Sequence, residues 1–205
     1  MTAERDPPRP LRNRVDPFGA FHAVAARGAV MGNRGGRLHD AHRRLTARRW
    51  TSRRWIVCVC AFRRRRREVW GDGYTELFFL DEPTALAAGH RPCFECRREA
   101  ARAFVAAFPG GATTADAVDE VLHRERLDGR ARRLWRARLG ALPDAAFVAI
   151  GGQPHAIVDG ALRPWSFDGY GPAVAFDEAR ELDVLTPPST VAALAAGYRP
   201  LWTAA

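Results

Sequence analysis

Lysine is missing from this 205-residue chain; all 32 basic residues are arginine. In a sequence rich in Ala, Arg, Gly and Pro, that bias points to a GC-rich genome, so the net charge of +9 says little by itself. Without lysine, Gly32-Asn33-Arg34-Gly35-Gly36-Arg37 is no Walker loop, although its backbone and guanidiniums could wrap a phosphate. A plain loop is the simpler reading. Long apolar runs are missing too: none approaches the roughly 18 residues that span a bilayer. The first residues are charged and proline-rich with no apolar stretch behind them, so 1–17 reads as a disordered leader and not a secretion signal. A cytoplasmic protein with no membrane partner is the expectation. No internal repeat is visible.

What charge there is lies unevenly. Residues 1–67 carry 18 arginines against four acids (Glu4, Asp6, Asp16, Asp40), a net of +14. Residues 68–205 carry 14 against 19, a net of −5. Codon bias acts on both halves alike, so the asymmetry points to a polyanionic partner for the front, most simply nucleic acid, DNA more than RNA. The expected contacts are Arg48, Arg49, Arg53, Arg54, Arg63, Arg64, Arg65, Arg66 and Arg67, with Arg91 and Arg97 further on. Arginines neutralise phosphates, and the interleaved Trp50, Trp55 and Trp70 could stack on exposed bases. The alternative is that the tryptophans are core and the arginines a solvated face.

Cysteine is scarce, and its placement is the sharpest signal. Cys58-Val59-Cys60 and Cys93-Phe94-Glu95-Cys96 are two thiol pairs separated by 32 residues. The C-x-x-C gap lets one tight turn bring both sulfurs to an ion at about 2.3 Å. On a strand, residues i and i+2 share a face with Cα atoms about 6.5–7 Å apart, so Cys58 and Cys60 could both reach the metal only by leaning together. The expected cofactor is Zn2+, held by Cys58, Cys60, Cys93 and Cys96. Four thiolates leave no open position, so the ion is expected to be structural. Two disulfides are the rival reading, against which stand the strain of a C-x-C bridge and the reducing compartment. Cys58 and Cys60 could also be ordinary core residues of the apolar run 55–62, and Cys93 and Cys96 a redox pair beside Arg91 and Arg97.

The fold class read from the pattern is α+β: a small zinc-stabilised hairpin-plus-helix module, then helices, then a small β-rich unit. Boundaries fall at 18–110 for the metal module, 111–145 for a helical connection and 146–205 for the β-rich unit. Within the first, Leu38 to Trp50 has helical spacing, Trp55 to Phe62 reads as a strand, and Val69, Trp70 and Tyr74 to Leu80 as a second one. Asp81 caps a short helix, Glu82 to Ala88, stopped by Gly89; Phe94 to Phe108 is a longer helix. Helices are expected over Asp116–Leu127 and Ala131–Leu139. Strands are expected at Phe147–Ile150, His155–Val158, Leu162–Phe167 and Asp183–Leu185, then a helix capped by Ser189 and Thr190 and closed by Gly197.

Residues 77–98 resemble the second half of the Ada-type metal-binding domain, a zinc module of bacterial alkylation-repair and other DNA-handling proteins. The likeness lies in Phe78-Phe79, the Ala-rich stretch Ala85 to Gly89, and Arg91-Pro92-Cys93 with Cys96 and Arg97. It covers about 22 residues. It implies that Cys93 and Cys96 ligate zinc with two upstream cysteines, a place filled here by Cys58 and Cys60. In that family one upstream cysteine also accepts a methyl group from a DNA phosphotriester, which would make Cys58 or Cys60 the acceptor. The first pair has a tighter spacing than the family's, and His90 stands where the family has an aromatic residue.

Other residues offer chemistry. His39 and His42, adjacent on a helix face if Leu38 to Trp50 is helical, and His90 beside the C-x-x-C are alternative or supporting ligands. His123, Glu125, Asp116, Asp119 and Glu120 could do acid–base work but suit a surface helix. His155, Trp165, Asp168 and Tyr170 could line a pocket in the β-rich unit. The sequence therefore leads to a zinc protein contacting nucleic acid. The alternatives are an enzyme with its pocket in the C-terminal unit, or a thiol-based methyl acceptor or redox protein at Cys58 or Cys60.

Overall fold

Three short apolar runs build the front of the molecule. In this computed structural model, which describes residues 10–63 and 68–202, they are strands β3 (Val30–Asn33), β4 (Ile56–Val59) and β5 (Leu77–Phe79). With β1 (Arg14–Val15), β2 (Phe21–His22) and β6 (Arg91–Pro92) they form one six-stranded sheet, ordered β2-β1-β5-β3-β4-β6. Register decides its two faces. Met31 lies opposite both Cys58 and Phe78, so these three form a row on one side. Gly32, opposite Val57 and Leu77, belongs to the other side, where Val15, Val30, Val57, Leu77 and Phe79 pack on Ala85 and Ala88. A side chain at Gly32 would lie 2.4 Å from the Ile56 carbonyl and 2.9 Å from the Phe79 ring.

Helix α1 (Glu82–Ala87) starts as its sequence predicts: Asp81 Oδ1 accepts the Thr84 N–H at 2.9 Å, Pro83 sits in the first turn, and Gly89 follows the helix with φ +84°. Next come α2 (Arg98–Ala107) and α3 (Ala115–Arg126), the hairpin β7 (Leu127–Asp128) and β8 (Ala131–Arg132), then β9 (Trp135–Arg138). A second six-stranded sheet is made with β10 (Phe147–Ile150), β11 (Gln153–Val158), β12 (Ala161–Ser166), β13 (Gly169–Tyr170) and β14 (Glu181–Val184), ordered β13-β12-β11-β10-β14-β9. Helix α4 (Pro188–Ala195) packs with α2 and α3 around Phe104, Leu122 and Leu194. The molecule is mixed α+β, with four α-helices among the described residues. No helix among the described residues is long and apolar enough to cross a membrane.

The two sheets are tied together through the start of α1. Trp165 Nε1 donates to Thr84 Oγ1 at 3.0 Å, and the Tyr170 hydroxyl to Asp81 Oδ2 at 2.7 Å. The Tyr198 hydroxyl donates to Glu82 Oε1 at 2.6 Å. All three acceptors are buried.

Five expectations about elements are overturned. Leu38 to Trp50 is a loop, because the Asp40 carboxylate takes the His42 and Arg44 amides at 2.9 Å each, and Thr75 takes the Leu38 amide. Local side-chain acceptors have outcompeted the helix. Ala131 to Leu139 is strand: Trp135 and Ala137 turn inward, Arg136 and Arg138 outward, and the run pairs with β14. That period of two was present in the sequence, beneath a helix-favouring composition. Val69 and Trp70 precede the strand in a turn, where Trp70 has φ +60°. Helix α4 begins at Pro188 without a side-chain cap from Ser189 or Thr190. The helix after the C-x-x-C also starts later than Phe94, at Arg98.

Candidate metal centre

Strand β4 carries Cys58 on the same face as Met31 and Phe78, and β6 runs parallel beside β4. The Cys93 amide donates to the Val57 carbonyl at 3.0 Å, which fixes the C-x-x-C against the end of β4. The chain then turns, with the Arg97 amide on the Cys93 carbonyl, so that Cys96 comes back toward Cys58. As a result, the Sγ atoms of Cys58, Cys93 and Cys96 lie within 4.8 Å of one another. Cys58 and Cys93 are buried and Cys96 is half-buried. Three sulfurs at this spacing are a metal-binding set. They are free thiols, so no disulfide competes for them.

Cys60 is not in this group. The strand ends at Val59 and the chain bends, so the alternation that would have brought Cys60 beside Cys58 stops one residue short. Cys60 is exposed, and its thiol donates to the Ala29 carbonyl at 3.3 Å. Burial pushes that thiol up, against the pull of Arg14. Within the group, the thiols of Cys58 and Cys96 hydrogen-bond to Cys93 and pull its pKa well down, while the same contacts push Cys58 up.

The three sulfurs stand at the wall of a cavity of about 310 Å³. Its apolar side is Met31, Ile56, Phe62, Val69 and Phe78. Its polar side is Asn33, Tyr74, Glu76 and Glu95, and Cys60 is on its lining too. The Glu76 carboxylate is held in place by the Trp70 amide at 2.8 Å. Asn33 entered the sequence reading only within the Gly32–Arg37 loop, and Tyr74, Glu76 and Glu95 were given no role there. Glu95 had a signal, lying between the two cysteines; Glu76 had only its place before an aromatic strand.

The histidines expected near the metal are elsewhere. His39 is buried, with Nδ1 at 2.7 Å from Thr75 Oγ1, Nε2 at 3.0 Å from the Gly71 carbonyl and its ring stacked on Trp70. His42 is exposed in the 38–50 loop. His90 is fully buried between the Trp55 and Phe79 rings and accepts from Arg34 Nε at 3.4 Å. Neither sequence nor spacing showed that its side chain faces away from the thiols.

The arginines divide. Arg48, Arg49, Arg53, Arg54 and Arg63 are exposed. Of these, Arg53 and Arg54 face Glu120 and Asp116 of α3, and Arg63 lies over the Phe62 ring. Arg91 and Arg97 are not at the surface: each is a buried ion pair, Arg91 with Asp119 and Arg97 with Glu82. Arg64 to Arg67 lie outside the described residues. Among the tryptophans, Trp55 and Trp70 are core, whereas Trp50 is half-buried against Trp55 and His123. In the second sheet, Trp165 and Tyr170 turn inward to Thr84 and Asp81; Asp168 sits in an exposed turn, and His155 bonds to the Gln153 carbonyl. These four side chains are aimed at different partners, not at one pocket.

Comparison with family models, with curated proteins and with solved structures gives no match.

Proposed function

We propose that this chain is a zinc protein whose ion is held by Cys58, Cys93 and Cys96, with a fourth coordination position facing the cavity. The observation that carries this reading is the convergence of three sulfurs on a cavity wall, with the Cys60 thiol outside their group and bonded to the Ala29 carbonyl. Three protein ligands and one open position is the pattern of reactive zinc sites, whereas structural sites are closed by four. The donor set suits zinc, and the likeness of residues 77–98 to the Ada-type pattern supports the same ion. When bound, zinc supplies a Lewis acid that polarises a donor atom of a ligand in the fourth position. Glu76 and Glu95 on the lining offer carboxylates for proton transfer, and three thiolates with a nearby carboxylate are a donor set used in hydrolytic zinc chemistry. A cavity of this size takes a small polar molecule or a single nucleobase, so the reading is metal-assisted chemistry on such a ligand.

Zinc content by native mass spectrometry tests the ligand set. One zinc per chain, lost in Cys58→Ser and Cys93→Ser but kept in Cys60→Ser, supports it. Loss in Cys60→Ser as well restores a closed four-thiolate site and removes the enzymatic reading. In the cobalt-loaded protein, azide should move the visible absorption bands; bands that do not respond mean a closed site.

Nucleic-acid contact is the second reading, favoured by the exposure of Arg48, Arg49, Arg53, Arg54 and Arg63 in a front half with few acids. Binding of a DNA oligonucleotide should weaken steeply with salt, and Arg48→Ala should reduce that slope by about 1. Binding that ignores salt, or none, ends this reading.

A further inference from the structure

The cavity beside the thiols continues along the sheet. On the face that carries Cys58 and Met31, the next pair along the strands is Ile56 and Asn33, opposite each other in register. Asn33, Ile56, Cys93 and Glu95 line the thiol cavity of about 310 Å³ and also a more open groove of about 510 Å³. The same alternation runs on past the strand ends: Gly35 follows Asn33, and Arg54 precedes Ile56, both on the lining of this groove. Ser52 and Asp116 line it as well. The site therefore has an inner cavity with the sulfurs and an outer groove that opens toward Arg54.

Charge is sorted between the two. Among the described residues no cation lines the inner cavity, which presents the Glu76 and Glu95 carboxylates and the rings of Phe62, Tyr74 and Phe78. Those carboxylates and the cost of dehydration keep a phosphate out, whereas a neutral planar base finds ring faces to stack on and acceptors for its N–H groups. The exposed cations stand outside. Arg54 reaches Asp116 at 3.2 Å, an exposed pair worth little in water, so a phosphate can take its place. Arg91 also lines the groove but is committed to Asp119. Beyond the other end of β4, exposed Arg63 lies over the ring of Phe62, itself on the cavity lining. The strand that bears Cys58 thus runs between the two exposed arginines.

We propose that the ligand of this site is one base of a single-stranded nucleic acid. The base enters the cavity beside the thiols while its backbone stays outside, with phosphates on Arg54 at one side of the mouth and on Arg63 at the other. This rests on the reading of the thiols as an open zinc site, and it makes that site and the arginine surface a single binding region. A base in a duplex must first be unpaired and unstacked, so the single strand is the preferred form.

The test uses the cobalt-loaded full chain, whose visible bands move with azide when the fourth position is open. The probes are a short mixed-sequence DNA strand, the same strand annealed to its complement, and free nucleosides. The single strand should bind about ten-fold tighter than the duplex, or more, and should block the azide shift. Arg54→Ala and Arg63→Ala, at exposed positions outside the thiol group, should each keep the metal, weaken the strand about three- to ten-fold and lower its salt slope by about 0.7. A strand that binds without hindering azide lies on the surface only and overturns the proposal. Blocking by nucleosides but not by the strand overturns it too, leaving an open zinc site for a small molecule. So does a duplex that binds as tightly as the single strand, or binding unchanged in both variants. Bands that ignore azide altogether end the open-site reading itself, and the proposal with it.

Discussion

The Arg91 guanidinium grips the Asp119 carboxylate with two teeth, Nε to Oδ1 at 2.9 Å and Nη2 to Oδ2 at 2.6 Å, both side chains almost wholly buried. This pair bolts β6, two residues ahead of Cys93, onto the middle of α3. Burial pushes the Asp119 carboxyl up, and Arg91 draws it back. Arg91→Ala strands that carboxylate in the interior and should cost about 3–5 kcal/mol in urea unfolding. Arg91→Leu combined with Asp119→Leu should cost far less than the two single changes added, because no charge is left unpaired. Additive losses would mean the two groups act independently.

Gly89 is a second fixed point. Its φ is +84°, and a Cβ there would sit 2.7 Å from Arg126 Cδ. Gly89→Ala should lose about 1–2 kcal/mol from the left-handed backbone alone, and more from displacing Arg126. A lower urea midpoint at unchanged m-value would show it, and a neutral outcome would mean that α1 ends differently from the geometry described.

His90 should make the protein acid-sensitive. It is buried against the Trp55 and Phe79 rings and faces Arg34, Arg126 and Arg132. Burial first, then those three cations, hold its pKa well below the usual 6.5. The unfolded chain therefore binds a proton at a pH where the folded chain does not. The stabilisation is fully present above about pH 6.5 and is lost on acidification toward the depressed folded value, at up to about 1.4 kcal/mol per pH unit. His123, lowered by burial, Arg126 and Arg53, adds in the same direction. Relative to wild type, His90→Gln should be less stable at neutral pH and show a shallower decline between pH 6.5 and 5. Parallel declines would exclude His90 as the source.

The join between the sheets makes its own prediction. Tyr170 donates to Asp81 Oδ2 at 2.7 Å, and the same carboxylate caps α1 through Oδ1. Tyr170→Phe leaves a buried acceptor with one donor fewer and should cost about 1–3 kcal/mol. The Asp81 carboxyl, already pushed up by burial, should titrate higher still, which NMR titration of its carboxyl carbon would follow.

Helix α1 and the strands at Ile56, Leu77 and Phe147 were legible in the chain because local rules settle them. A capping Asp, an early Pro and a terminal Gly act within a few residues, and so does an apolar run between turns. So was the link between Cys93 and Cys96, since a two-residue gap brings the sulfurs together whatever lies around it. The addition of Cys58 but not Cys60 was not legible: it turned on where β4 stops pairing, which is decided by β3 across the sheet. The loop at 38–50 and the strand at Trp135–Arg138 likewise answer to Thr75 and β14, far away in sequence. Arginine was the least readable residue of all. Composition marks every one as a surface cation, yet Arg34, Arg91, Arg97 and Arg126 are interior, each held by a carboxylate, carbonyl or ring contributed from elsewhere in the fold. A charge is buried or solvated according to the partners that surround it, and those partners exist only once the chain has folded.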